Sequence, residues 1–205
     1  SAVAYNSGSS LQNGYLISSI PNPDLKFEHT NNFNIGVDFG ILNNRINGAV
    51  DVYTQRTYDI LQVQSLPLSA GASTTTVNAG NSKGEGLEIS LSTRNFVGAF
   101  KWTTDFNIAF ARSSITALRN GLQQDLGNGW FVGQPFNVIY DYKKLGIWQT
   151  DEPTQAAIYG EKPGMIKVQD VEPNGKIDAN DRQILGTFQP NYTGGLTNHF
   201  SYKGF

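Results

Sequence analysis

The chain has 205 residues and a formal net charge of −2, with only 16% charged residues, well below the quarter usual in soluble domains. No basic patch stands out, which argues against nucleic acid as a partner. No apolar run approaches the roughly 18 to 20 residues of a membrane helix, although a barrel hides its apolar face in alternation and escapes that test. Aromatics make up 12% and glycine is common, with 22 residues, a mix that suits strands and turns. There is no cysteine, which fits passage through an oxidising periplasm and fits chance nearly as well.

In chain order, "SAVAYNSGSS" lacks the basic and apolar regions of a signal peptide. Residues 1–30 read as irregular, and Pro21 and Pro23 predict an extended, non-helical lead-in. Next, Phe33, Ile35, Val37 and Phe39 alternate with Asn32, Asn34, Gly36 and Asp38. "LNNR" then predicts a turn, because Asn tolerates left-handed backbone angles. A second strand sets Ile46, Gly48, Val50 and Val52 against Asn47, Ala49, Asp51 and Tyr53. Residues 58–83, with Pro67 and a Ser/Thr/Ala/Gly tract, read as a long connection.

A clear hairpin follows in "LEISLSTRNFVGAFKWTTDFNIAF". Leu87, Ile89, Leu91 and Thr93 share one face, later joined by Trp102, Thr104, Phe106, Ile108 and Phe110. Glu88, Ser90, Ser92, Arg94, Thr103, Asp105, Asn107 and Ala109 take the other. Side chains alternate across a strand, so one face is oily and one is wet. The oily face fits a second sheet in a soluble sandwich, or lipid around a barrel. Residues 112–135 read as another connection and 136–150 as a strand-like segment. An irregular acidic region runs to about 189, and a final strand covers 191–202. "DEPTQAAIYG" allows one short helical turn.

The connections alternate short, long, short, long, as in outer-membrane barrels with short periplasmic turns and long external loops. That ordering makes 112–189 an extracellular region, with 136–150 either in an external hairpin, the favoured reading, or one of an even number of spanning strands. Trp102, Tyr53, Phe100, Tyr202 and Phe205 predict aromatic girdles at strand ends. A bacterial barrel needs about eight strands or more, against about five or six here, and an open edge cannot face lipid. A barrel reading therefore requires further strands.

The ordered blocks "NPDLKFEHTNNFNIGVDFGILNNRINGAVDVYTQRT", "NSKGEGLEISLSTRN", "WTTDFNIAFARSSITAL", "GIWQTDEP", "DVEPNGKIDANDRQILG" and "PNYTGGLTNHFSYKGF" resemble the C-terminal barrel portion of SusC-like (RagA-like) TonB-dependent outer-membrane transporters of Bacteroidota. The resemblance covers nearly the whole chain. It implies an all-β fold of antiparallel transmembrane strands, part of a barrel of about 22 strands with a plugged lumen. It also implies a multi-pass position in the bacterial outer membrane and energising by TonB through segments not present in this sequence. The implied partner is a SusD-like lipoprotein lid, and the implied cargo is oligosaccharide or peptide. No substrate residue carries over. Two rival readings remain: a soluble calcium-braced sandwich that binds a partner, and a barrel kept as a structural partner in a larger membrane complex.

"DVEPNGKIDAND" sets Asp170, Glu172, Asn174, Lys176 (through its carbonyl), Asp178 and Asp181 at positions 1, 3, 5, 7, 9 and 12 of an EF-hand-like loop. Gly175 sits at position 6, where the sharp turn of a Ca²⁺ loop requires it. Relatives usually read "DVNGDGKID" there, so Glu172, Pro173 and Asn174 depart from the pattern, and Asp181 is shorter than the usual bidentate Glu. The plainer reading is an acidic turn without metal. No cofactor is required by the sequence. His29 and His199 stand far apart, and the adjacent Asp151 and Glu152 face apart on a strand, a poor acid–base pair. "GEGLEIS" is no phosphate loop, and there is no nucleophile motif. No enzyme is expected.

Overall fold

The computed structural model describes residues 2–7, 10–15 and 17–204. The strands are β1 (Ala2–Ser7), β2 (Ser10–Tyr15), β3 (Ser19–Ile20), β4 (His29–Ile41), β5 (Ile46–Ser65), β6 (Thr74–Val97) and β7 (Phe100–Leu118). The connecting region holds β8 (Gln124–Asp125), β9 (Trp130–Phe131), β10 (Val138–Tyr142), β11 (Lys144–Ile147), α1 (Pro153–Ile158), β12 (Ile166–Val168) and β13 (Arg182–Thr187). The long strand β14 (Thr193–Tyr202) follows.

The main sheet runs β14-β7-β6-β5-β4, antiparallel throughout. Its register turns the alternation of each strand into continuous rows. Val37, Val50, Ile89, Ile108 and Gly194 form one outward row. Phe39, Gly48, Leu91, Phe106 and Leu196 form the next below, and Ile35, Val52, Leu87 and Phe110 the next above. The opposite face carries Asp38, Ala49, Ser90, Asn107 and Gly195 in one row, with Gly36, Asp51, Glu88 and Ala109 beside it. A one-residue slip would exchange the faces of an entire strand, so this pattern fixes the register.

The buried apolar residues are Ala72, Ala79, Ile115, Leu118, Phe131, Trp148 and Ala156. All lie at one end of the long strands or in the connecting region. Where the outward rows are apolar, nothing among the described residues covers them: Phe33, Ile35, Val37, Leu196 and Phe200 are each at least 60% exposed. A sandwich would bury this face under a second sheet. Here one layer stands with both faces open.

The strands run longer than hydrophobic alternation suggests. Residues 58–83, read as a connection, belong mostly to β5 and β6, and the hairpin turns only at 66–73. This distal stretch of Ser, Thr, Gln and Asn has little apolar periodicity. Ladder hydrogen bonds hold it, with register shifts at Thr57, Ile60 and Leu61. The 1–30 lead-in contains the β1–β2 hairpin. Residues 136–150 form two short strands paired with β13 and β12, not a spanning strand.

The proline-marked lead-in acts as a strap. β3 pairs with β6 on the edge away from β5, while β4 joins the far edge of β5. Residues 21–28 therefore cross two strands. Asn22 donates to the Thr76 carbonyl, Asn78 bonds both backbone groups of Lys26, and Glu28 accepts from the Leu61 amide. At the other end the predicted turn is present, with Leu42, Asn43 and Asn44 all at positive φ. Arg45 there donates to the carbonyls of Arg94 and Asn95, locking two neighbouring turns together.

The predicted girdle is partly found. Phe96, Phe100, Trp102, Phe200 and Tyr202 gather at one end of the outward face, with Trp102 and Phe200 stacked at 5.7 Å. Tyr53 is not among them. It lies mid-strand on the polar face, directly over Gly86, where a Cβ would meet its ring at 2.4 Å. Phe205 lies outside the described residues.

Adjacent glycines on β14 test the sheet's closeness. A Cβ on Gly194 would sit 2.7 Å from the Asn107 carbonyl oxygen, whereas one on Gly195 meets nothing nearer than 3.6 Å. Gly194→Ala is expected to destabilise the intact barrel by about 1–3 kcal/mol. Gly195→Ala is expected to be neutral or stabilising by up to about 1 kcal/mol. Urea-unfolding midpoints of the two variants check the difference.

Candidate functional site

The polar face and the end of the sheet that bears the long connections make the candidate site. Along the wet face, Asn34, Asp38, Asp51, Glu88, Asp105 and Asn107 present carboxylates and amides between small residues. Small side chains keep this wall open: Gly36 sits over the Asp51 carboxylate, and Gly86 under Tyr53. At the far end, β5 and the 119–128 segment enclose a cavity of about 490 Å³. Its polar lining includes Gln62, Gln64, Arg119, Gln124, Asp125 and Asn128. Arg119 donates to the Gln64 amide oxygen at 2.9 Å, and Asn128 donates to Asp125 at 2.8 Å. Neutral amides with one cation and one anion offer many directional hydrogen bonds and little net charge. That lining suits an uncharged polar guest better than a strongly ionic one.

The connecting region is built on its own small core. Phe131 packs on Tyr140 at 4.8 Å between centroids, and Trp148 stacks on Tyr159 at 5.8 Å. Lys167 lies 4.3 Å over the Trp148 ring and pairs with Glu152. Glu152 also accepts the Gln149 amide. The Lys167 bond, followed by the Gln149 bond, holds the Glu152 carboxyl below its ordinary range. Glu152 thus staples the entry to α1 and is not one half of an acid–base pair with Asp151.

The six residues of the EF-hand-like pattern occupy one turn, but their oxygens mostly serve the backbone. Asp181 is fully buried and accepts from the amides of Val171, Glu172 and Asp178. Asp178 accepts from the Asn180 amide, and the two aspartates form a reciprocal capping box. Asn174 accepts from the Lys176 amide. Asp170 Oδ2 accepts from the Gly175 amide and from the Tyr159 hydroxyl at 3.3 Å. Among the described residues, Asp170 Oδ1 is a buried oxygen with no hydrogen-bond partner. Glu172 is exposed. Among the described residues, no three His, Asp or Glu side chains gather closely enough to hold a metal by themselves. A cation in this turn would draw on the Lys176 carbonyl and the Asn174 amide as well. Gly175 is at φ 75°, as the sharp turn requires.

Charge on the turn follows from these bonds. The Asp178 amide, then those of Val171 and Glu172, hold the Asp181 carboxyl below its ordinary value against the opposing effect of burial. Burial first, then the Asp170 charge, pushes the Tyr159 hydroxyl up. His29 stacks on Tyr58 at 5.0 Å, and His199 lies 3.9 Å from Asp105 on the polar face; the two histidines share no site.

A lowered pKa means that the folded turn favours the ionised form. The contribution of Asp181 is therefore fully present above the ordinary aspartate pKa and is lost as pH falls through the lowered value. We expect protease protection of 170–181 to hold from neutral pH to mild acid and to fail only below the ordinary aspartate range. In Asp181→Asn, protection should be reduced at neutral pH and should lose this acid transition. Limited proteolysis across pH, read by mass spectrometry, checks both.

Comparison with known proteins agrees with this geometry. The family model described as "TonB dependent receptor-like, beta-barrel" matches residues 2–197. The TonB-dependent receptor P3 of Formosa agariphila is 30% identical over 97% of the chain, and the TonB-dependent receptor SusC of Bacteroides thetaiotaomicron is 30% identical over 90%. The chain spans about a fifth of each, 21% and 19% respectively. Among solved structures, the RagAB peptide importer in its closed-closed state superposes with a TM-score of 0.73 at 24% identity, covering 99% of this chain and 23% of that one. That likeness is one of fold. These relatives are receptors and transporters, not enzymes. With its sheet order, its bare apolar face and a family match over most of its length, the chain belongs to the TonB-dependent receptor β-barrel family.

Proposed function

We propose that this chain forms part of the wall and outer mouth of an outer-membrane importer. The outward apolar rows contact lipid, and the Asp/Asn/Ser face lines the aqueous passage. The carrying observation is the single layer of five long strands whose oily face is uncovered. From Trp102 to Phe110 the outward rows span about 27 Å along the strand, or about 20 Å of height at a barrel's usual tilt. That is close to the apolar band of about 25 Å found around such barrels. Aromatic residues end the band, with Phe96, Trp102 and Phe200 below and Phe110 with Tyr192 above.

In this reading the amide-rich cavity by Gln62, Gln64 and Arg119 belongs to the entrance for an oligosaccharide or peptide. The wider assembly is a SusC-like one, with a SusD-like lipoprotein as lid and TonB as the energy source. The names of the relatives and structural neighbours support that assignment by kinship. The rival sandwich needs a sheet packed on the oily face, and among the described residues none of the small two-stranded sheets covers it. Uptake assays in a deletion strain, complemented with the intact gene, separate an importer from a barrel kept for assembly: restored uptake supports transport, and normal complex assembly without uptake overturns it.

For the acidic turn, a bound Ca²⁺ is a second proposal. The observation favouring it is Asp170 Oδ1, buried and unpaired, on a carboxyl that lies against Asp181. Two carboxylates side by side favour a cation, which would brace the loop and take no part in chemistry. Saturable protection of 170–181 from protease by Ca²⁺, lost in Asp170→Asn, supports it. Equal protection in Ca²⁺ and in chelator leaves a turn closed by its amides alone.

The lipid assignment predicts opposite outcomes at neighbouring positions. Arg at Ile108 should cost about 2–4 kcal/mol as an outward residue near the midplane. Arg at Asn107, facing water, should fold almost normally. Unfolding midpoints in vesicles check this, and equal tolerance at both sites would contradict the assigned faces.

A further inference from the structure

Just beyond the apolar band, at the end bearing the long connections, the outward rows change character. The row after Ile35, Val52, Leu87 and Phe110 is Phe33, Thr54, Glu85 and Arg112, where Phe33 alone is apolar, and the next is Asn31, Arg56, Lys83 and Ser114. Arg56 and Lys83 are direct cross-strand partners, and both are exposed. Like charges placed opposite each other on a sheet destabilise it. Little within the chain cancels them. Lys83 has one exposed ion pair, with Glu85 at 3.6 Å, of a kind that contributes little. Among the described residues Arg56 has no ion pair. Arg112 donates to the Pro190 carbonyl and to the Asn191 amide oxygen and stands directly across the strand from Glu85, which offsets part of its charge.

Between the two cations lies a groove of about 290 Å³, lined by Arg56, Tyr58, Ser82, Lys83 and Thr116. It offers a guanidinium, an ammonium and hydroxyls, which is a donor set for a tetrahedral oxyanion. Its height points to the source of that anion. Arg56 is four residues beyond Val52 on β5, about 14 Å along the strand and about 10 Å above the Val52–Leu87 row, and one row beyond Phe33. In a bilayer that is the headgroup layer, where basic side chains meet lipid phosphate. At the opposite end the corresponding outward rows are aromatic, Phe96 with Trp102 and Phe200.

We infer that the Arg56–Lys83 groove, with Arg112 beside it, holds the phosphate of an anionic lipid of the outer leaflet. This rests on the proposal that the outward face meets the bilayer. The bound phosphate would relieve the Arg56–Lys83 repulsion and fix the barrel's height at the external surface.

The test uses the intact receptor in nonionic detergent. Phosphorylated lipid A and its phosphate-free counterpart are added separately, and bound lipid is counted by native mass spectrometry. Wild type should retain the phosphorylated form about tenfold better, as two surface cations can supply. Arg56→Gln with Lys83→Gln should bring the two lipids level. Arg94→Gln, on the polar face, should change nothing. Heat-modifiable gel migration confirms that each variant is folded. Undiminished preference in the double variant overturns the inference, as does equal loss of both lipids. Displacement of the lipid by inorganic phosphate at micromolar concentration would assign a free-anion site and overturn the lipid assignment. Depth-dependent quenching at the apolar band, read separately in vesicles, distinguishes failure of this site from failure of the bilayer contact itself.

Discussion

The structure depends on the antiparallel ladder that keeps one register across β14, β7, β6, β5 and β4 through the apolar rows, its shifts falling outside them. Hydrogen bonding satisfies the backbone within the layer, so side chains alone decide what each face touches. Period-two sequence in every strand then adds up to rows, one face apolar and one polar. Without common register the same residues would scatter over both faces. With it, a single sheet can stand between hydrocarbon and water without a packed core beneath it. The two outer strands still expose unpaired edges. In a membrane those edges must be joined by further strands, in keeping with a chain that spans about a fifth of its relatives.

The buried core and the bare apolar rows are separated along the strands. Ile115, Leu118, Phe131, Trp148 and Ala156 bury themselves where the strands leave the apolar band and the connections fold back. There the protein behaves as an ordinary globular unit, with capped turns, stacked aromatics and a Lys–Glu staple. Within the band it inverts that rule and leaves Phe33, Ile35, Val37 and Leu196 bare. The bulges in β5 and β6 and the 21–28 strap stand at the junction. The outward cations lie close to that junction, where the chemistry of the surroundings would change from hydrocarbon to headgroup.

Sequence alone exposed the parts whose environment differs on two sides. Residues 33–39, 46–52 and 87–110 alternate because one face is wet and one is not. The distal halves of β5 and β6 escaped notice because water or polar loops meet both faces there, and hydropathy has nothing to alternate between. β1 and β2 escaped for a related reason: "AVAYNS" runs its apolar residues together and "SLQNGY" holds few, so neither shows a two-residue period. Tyr53 was misassigned to a girdle because residue type does not reveal a glycine across the strand. The acidic turn shows the same limit at a candidate site. Spacing put Asp170 to Asp181 in one loop, and Gly175 adopts the expected turn. Spacing could not show that Asp181 turns inward to three amides while Asp170 keeps one buried oxygen free. The cavity between Gln62, Gln64 and 119–128 joins residues far apart in sequence, and no local motif marks it.

The central claim is that the oily rows meet hydrocarbon while the wet rows meet water. Single cysteines placed through residues 103–110 of the intact receptor, in its native membrane, test it most directly. The described chain has no cysteine to interfere. Positions 104, 106, 108 and 110 should be reached by a lipid-dissolved quencher and shielded from a charged maleimide. Positions 103, 105, 107 and 109 should show the reverse. Loss of that two-residue alternation, or its inversion, would contradict the account.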